Sequence, residues 1–311
     1  MSVSYIKIIG SIIETTNRPD WHTMINQHTA TLGLLICLLA TLSTTALAQD
    51  RVVSVGGDVT EIIYALGEGD RIVASDSTSV YPPEAEQTPK VGYVRNLSAE
   101  GVLSVEPDLI LISGAAGPPP ALELLEASGV PIISMETAYT IEAIIDKTQR
   151  VAEALGATAA GEVLVQQIEQ DWAQAQSVLA EAEPMTMLFF ATPPDGSPLA
   201  AGTDTAAQGI IDLLNGTNVF DSYTGYKPLS MEAAVAANPD IILVMHHHAD
   251  RVGGMDSVKS HPALSLSPAA MEDQIYPVDQ VTVMQFGPRT PAAVGQLAEE
   301  IQQGQANVNE R

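Results

Sequence analysis

Cysteine is almost absent from this sequence: among 311 residues there is one, Cys37, and it lies inside the apolar run Thr31–Leu42. A mature chain cut after that run needs no disulfides and offers no thiolate chemistry, even in an oxidising compartment. Bases are scarce too, with 13 Lys and Arg against 38 Asp and Glu, a formal charge of −25 and a pI near 4.3. A nucleic-acid groove or an anionic membrane surface needs cations to neutralise phosphates, so both partner classes are excluded. The acids are spread along the chain and read as a solvated anionic surface. Long apolar runs are missing as well, because Thr31–Leu42 falls well short of the roughly 20 residues that span a bilayer.

That run has the length of an export-signal core, and Ala46 and Ala48 before Gln49 supply an A-x-A cleavage pattern. Residues 1–48 are therefore expected to be a signal peptide. A signal counted from Met1 would be too long, so Met24 is the expected start and residues 1–23 an extension. The residues before Cys37, Leu-Leu-Ile, fit a lipid-attachment site poorly, and a lipoprotein is not expected. Removing residues 1–48 takes two acids and two bases together, so the charge stays at −25.

What is present is core material. At 46% hydrophobic and 16% charged, the chain can fill more than one compact domain. Short apolar runs at Val52–Val55, Ile72–Ala74, Leu109–Ile112 and Ile132–Ser134 alternate with helix-period segments such as Thr60–Leu66, which predicts a parallel α/β sheet. From Thr140 to about Glu181 the composition turns to Ala, Gln, Glu and Leu at helical spacing, predicting a long helix broken near Gly156. A second α/β block runs from Met185–Phe190 to a C-terminal helix over Pro291–Gln303. The expected organisation is an N-terminal α/β lobe over 49–139, a connecting helix over 140–183 and a C-terminal α/β lobe over 184–311.

The two blocks share a unit. Leu97–Ile112, L-S-A-E-G-V-L-S-V-E-P-D-L-I-L-I, aligns without gaps on Leu229–Val244, L-S-M-E-A-A-V-A-A-N-P-D-I-I-L-V, at an offset of 132. Leu, Ser, Glu, Pro and Asp recur in register, each copy reading as a short helix, a Pro-Asp turn and a buried strand. A duplicated lobe explains this better than two unrelated α/β units.

From V-S-V-G-G-D-V-T-E-I-I-Y-A-L-G (Val53–Gly67) to F-G-P-R-T-P (Phe286–Pro291), the chain resembles the substrate-binding proteins of metal-chelate ABC importers, which carry haem, ferric siderophores and cobalamin. D-S-T-S-V-Y-P-P-E-A (Asp76–Ala85) and V-G-Y-V-R-N-L-S-A-E-G-V-L-S (Val91–Ser104) resemble the periplasmic haem-binding subset most. The resemblance implies two Rossmann-like lobes joined by one long helix, a ligand cleft between them, a periplasmic location and haem as the transported ligand.

It implies residues as well. Tyr81 stands where haem binders present a tyrosine to the iron, and phenolate is a hard anionic donor suited to ferric iron. A free phenol titrates near pH 10, so iron and a nearby guanidinium must favour the phenolate. Arg95, Arg289 and Tyr93 are the candidates for haem propionates and the cleft wall. His246, His247 and His248 follow the strand Ile241–Met245, where α/β proteins place ligand loops, and are candidates for a second iron ligand. That histidine run departs from the family pattern. Glu100 and Glu232, one position in the two repeats, match the acids that dock on the importer's permease. The implied partners are that permease with its ATPase, and an outer-membrane haem receptor upstream, with the protein itself a monomer.

Each of these residues also has a plain structural counterpart. Tyr81 could pack on Pro82-Pro83, the arginines could pair with carboxylates, and Glu100 and Glu232 could be first-turn acids favoured by the helix dipole. Two other functions compete. A siderophore or cobalamin carrier would keep the fold, though siderophores ask for more Arg and aromatics than a chain with 5% aromatic residues holds. A metal-dependent hydrolase built on His246–His248 with Asp250 lacks the usual ligand spacing, and no G-x-S-x-G or phosphate loop is present. The chain is expected not to be an enzyme.

Overall fold

The computed structural model describes residues 51–192, 197–246, 249 and 253–309. The export signal with its cut after Ala48, and also His247, His248 and Asp250, lie outside the described residues.

In the N-terminal lobe, β1 (Val52–Val55), β2 (Ile72–Ser75), β5 (Leu109–Ser113) and β6 (Ile132–Met135) form a parallel sheet in the order β2-β1-β5-β6, while β3 (Gly92–Tyr93) and β4 (Asn96–Leu97) make a separate antiparallel hairpin. The four sheet strands are mainly apolar, with Ser54 and Ser75 buried among them, because β1 and β5 are covered on both faces. Along β5, Leu109 and Leu111 enter the core under the Gly57–Ala65 helix, while Ile110 and Ile112 enter a second core on the other face. The helix predicted from Thr60 begins earlier, at Gly57: Thr60 N–H already bonds the Gly56 carbonyl at 3.0 Å. Gly-Gly-Asp is thus the helix entry, made feasible by the positive φ of Gly56, 110°.

The C-terminal lobe holds β7 (Thr186–Ala191), β8 (Leu199–Ala201), β9 (Thr217–Asn218), β10 (Tyr226–Pro228), β11 (Ile241–Met245) and β12 (Ile275–Val278). The order is β10-β8-β7-β11-β12, with β9 beside β7. Here β8 and β10 run antiparallel, so this sheet is mixed where the first is wholly parallel. Period-two alternation again splits the side chains, with Met187, Phe189, Ile241 and Leu243 in one core and Leu188, Phe190, Ile242 and Val244 in the other.

The repeat extends to atomic detail. Ser98 and Ser230 each cap a short helix, Ala99–Leu103 and Met231–Ala237, accepting the N–H of Gly101 and Ala233 at 3.1 Å in both copies. Glu106 and Asn238, each just before Pro-Asp, have φ of 47° and 46°. The strands that follow, β5 and β11, occupy the same interior place in their sheets.

The segment after Thr140 is two helices, and the break at Gly156 turns the chain back on itself. Gly156 takes a left-handed φ of 70° and ends the Ile141–Leu155 helix, and Thr158–Leu179 returns alongside it. Gly161 packs directly on Ala152, with no room for a Cβ. The first helix places Ile141 and Ile144 in the C-terminal core and Val151, Ala152 and Leu155 in the N-terminal core. Its partner runs the other way, from Leu164 to Ile168 and Leu179. The lobes are therefore joined by an antiparallel pair of helices in place of a single rod. No described helix is long and apolar enough to cross a membrane.

Candidate functional site

Between the lobes lies a cavity of about 500 Å³, within the usual range for small-molecule sites. It opens at the C-terminal ends of strands from both sheets. Gly56 follows β1, Ser113 ends β5, Glu136 follows β6 and Met245 ends β11, all at the wall. This is where open α/β sheets receive ligands, in the crevice outside the carboxyl ends of their strands.

The β3-β4 hairpin brings Tyr93 and Arg95 to the cavity; Tyr93 is 47% exposed. Arg95 stands out in this acidic chain because, among the described residues, it has no ion-pair or hydrogen-bond partner. The other described cations are engaged: Arg71, Lys147, Arg150, Lys259 and Arg289 with carboxylates, Arg51 and Lys90 with carbonyls, Lys227 over the Tyr223 ring. Two tyrosines that the sequence reading did not single out, Tyr139 and Tyr226, share the wall with Arg95. Burial, and then Tyr139, push the Tyr226 phenol up to about 12 against the opposite pull of Arg95. Tyr139 is likewise raised by burial, with Arg95 lowering it. The three groups thus lie within electrostatic reach of one another.

At the cavity base, Lys147 forms an almost fully buried ion pair with Asp58 and also donates to the Phe286 carbonyl at 3.3 Å. Across the cleft, Gln285 Nε2 donates to the Thr78 carbonyl at 3.1 Å, and its amide lies where a Cβ on Gly57 would sit.

Tyr81 is 37% exposed and is not one of the lining residues; its loop meets the cavity at Thr78. Buried Asp76 organises that loop, accepting Gly56 N–H at 2.8 Å and Ser79 Oγ–H at 2.9 Å on one oxygen, and Thr78 N–H and Oγ1–H at 2.8 and 2.7 Å on the other. Lys90 Nζ closes it by donating to the carbonyls of Ser79 and Ala85, each at 2.8 Å. Arg289 then crosses from the C-terminal lobe and lays its guanidinium carbon 3.3 Å from the Tyr81 ring centroid. Its Nε and Nη2 donate to the two oxygens of Glu61 at 3.0 and 2.8 Å. Burial alone would pull the Arg289 pKa down, but Glu61, Tyr81 and Asp279 together raise it. The carboxylate pair occupies the fork that a propionate would need, so Arg289 serves Tyr81 and Glu61 in this structure.

His246 is exposed and directly follows Met245 of the cavity wall. Glu100 and Glu232 are exposed at the starts of the two repeated helices, away from the cavity wall.

Three comparisons place this geometry among known proteins. The family model described as periplasmic binding protein matches residues 52–282. The periplasmic heme-binding protein RhuT from Roseiflexus sp. RS-1, in apo form, superimposes with a TM-score of 0.77 at 36% identity, over 82% of this chain and 98% of its own. An uncharacterized ABC transporter substrate-binding lipoprotein of Bacillus subtilis, YvrC, is 28% identical over 81% of this chain and 79% of its own length. The vitamin B12-binding protein of Yersinia pseudotuberculosis is 28% identical over 68% and 74% respectively.

Proposed function

The chain belongs to the periplasmic binding protein family, in the branch that carries haem, ferric siderophores and cobalamin, and we propose that it captures haem between its lobes and delivers it to an ABC importer. The observation that carries this reading is the Arg289 guanidinium held against the exposed Tyr81 ring. The cation holds the Tyr81 ring by its electron-rich face and so orients the phenol oxygen, the hard donor type that ferric iron takes. Arg95 supplies the matching anion site. An unpaired guanidinium beside two phenols suits a propionate, which accepts charge-assisted hydrogen bonds. Tyr93 and Tyr226 offer aromatic faces for the porphyrin, and His246 stands near enough to the wall to be tested as a second ligand.

Export through residues 1–48, a monomeric mature chain of lobes 49–139 and 184–311 joined by 140–183, and supply from an outer-membrane receptor complete the reading. Glu100 and Glu232 dock on the permease as two equivalent acids, one on each lobe. The named relatives are binding proteins, which supports a carrier over an enzyme.

One observation favours a second cargo. The cavity wall carries three carboxylates, Asp58, Glu136 and Asp204, against the cations Arg95 and Lys147. That balance suits an amide-rimmed ligand such as cobalamin better than a ligand with two free carboxylates. Titration with hemin in competition with cobalamin and a siderophore panel separates the cargoes. Haem predicts a Soret shift and a ferric-tyrosinate charge-transfer band that Tyr81→Phe abolishes; no shift with hemin would sink the assignment.

A further inference from the structure

We propose that Glu61 is a positioning residue for iron binding: it fixes the Arg289 guanidinium over Tyr81 and so sets the strength of the Tyr81–iron bond. The inference rests on Tyr81 as the iron ligand. Glu61 lies in the Gly57–Ala65 helix of the N-terminal lobe, its side chain 4% exposed. It takes Arg289 by both oxygens, at 3.0 and 2.8 Å, and Oε1 also accepts the Arg289 backbone N–H at 3.3 Å. This three-point grip fixes the plane of the guanidinium as well as its place.

The grip is needed because Arg289 comes from the other lobe. Its own segment offers one described hydrogen bond, to Thr282 Oγ1 at 3.5 Å from Nη1, and the more distant charge of Asp279. Arginine has several rotatable bonds, and an ungripped guanidinium would be drawn toward water and the surrounding carboxylates. Glu61 has its own reason to hold on, since a carboxylate this buried is costly to leave unpaired. Tyr81 gains an oriented cation on its ring face without making any contact with Glu61 that the ligand could disturb. The carboxylate also offsets part of the positive charge of the half-buried guanidinium before iron arrives. Geometry, and not charge alone, is thus what Glu61 supplies.

The test compares hemin-loaded wild type with Glu61→Gln and Arg289→Lys, the second keeping the charge but losing the two-pronged grip. Two readouts are followed: the rate of hemin transfer to excess apomyoglobin, and the pH at which the tyrosinate band is lost on acidification. Both variants are expected to release hemin about tenfold faster, the scale of a lost charged hydrogen bond, and to lose the band at higher pH than wild type. A merely structural role would lower thermal stability without moving the band's pH midpoint. Wild-type release and midpoint in a folded Glu61→Gln protein, or a midpoint displaced to lower pH, would overturn the inference. If Glu61→Gln does not fold, Arg289→Lys is read against the same two outcomes. If instead Tyr81→Phe leaves the hemin spectrum unchanged, the iron-ligand reading fails first, which marks that failure apart from this one.

Discussion

Glu106 and Asn238 hold the same left-handed backbone, φ 47° and 46°, at the same place in two copies of one unit. Asparagine tolerates that region through its short polar side chain, whereas glutamate meets the full Cβ penalty. Glu106→Gly is therefore expected to raise stability by up to about 1 kcal/mol, and Asn238→Gly to be near neutral. Urea unfolding of the two variants checks this, and equal gains at both positions would contradict it.

Among the described residues Arg95 has no ion-pair partner to give up, so its charge is available to a ligand. Arg95→Ala is expected to weaken hemin binding by about 10- to 100-fold, the worth of a charge-assisted hydrogen bond. Hemin dimethyl ester should bind the wild type and the variant alike, because its esterified propionates cannot pair. Spectrophotometric titration with both ligands gives the four affinities.

Lys147→Met leaves Asp58 as a buried, unpaired carboxylate and is expected to cost about 3–5 kcal/mol. Adding Asp58→Leu removes the stranded charge and should recover most of that loss. The double-variant cycle in urea distinguishes a paired site from two independent ones.

How much of this was legible in sequence depends on distance along the chain. The inner strands of the N-terminal lobe show in the apolar runs because they are covered on both faces, the mostly exposed β3 and β4 leave no such run, and the repeated unit shows because its capping serines and Pro-Asp turns are local. The Glu61–Arg289–Tyr81 contact joins residues 228 positions apart, and nothing in either neighbourhood names the other. For Arg289 the sequence leaves a propionate and a carboxylate partner both open. Lys147 does carry a readable signal. It sits among Ile144, Thr148 and Val151 on the buried stripe of its helix, where a lysine must have a partner. Tyr139 and Tyr226 had no such mark, since they meet Arg95 only once both lobes are in place. The reversal at Gly156 was hidden for another reason: helical periodicity reports a face but not a direction.

Glu232 is held below the usual carboxylate range by its own backbone N–H first and by the Ser230 hydroxyl second. A depressed folded value means that its stabilising contribution is present above the ordinary carboxylate range and is lost as pH falls through the folded value. Ser230→Ala removes one donor, so Glu232 should titrate nearer its ordinary value and lose charge in milder acid. An NMR titration of the Glu232 side-chain carboxyl follows the change, and the same variant should lose about 1 kcal/mol of helix capping.

The antiparallel helices after residue 140 belong to both cores at once, since each buries one end in the N-terminal lobe and the other in the C-terminal lobe. Neither half of this duplicated protein owns a complete interior. Calorimetry should therefore record one cooperative transition, and a fragment ending before the connector would lack the layer that covers its sheet. The two halves, alike in one repeated unit, share the layer that neither would keep alone.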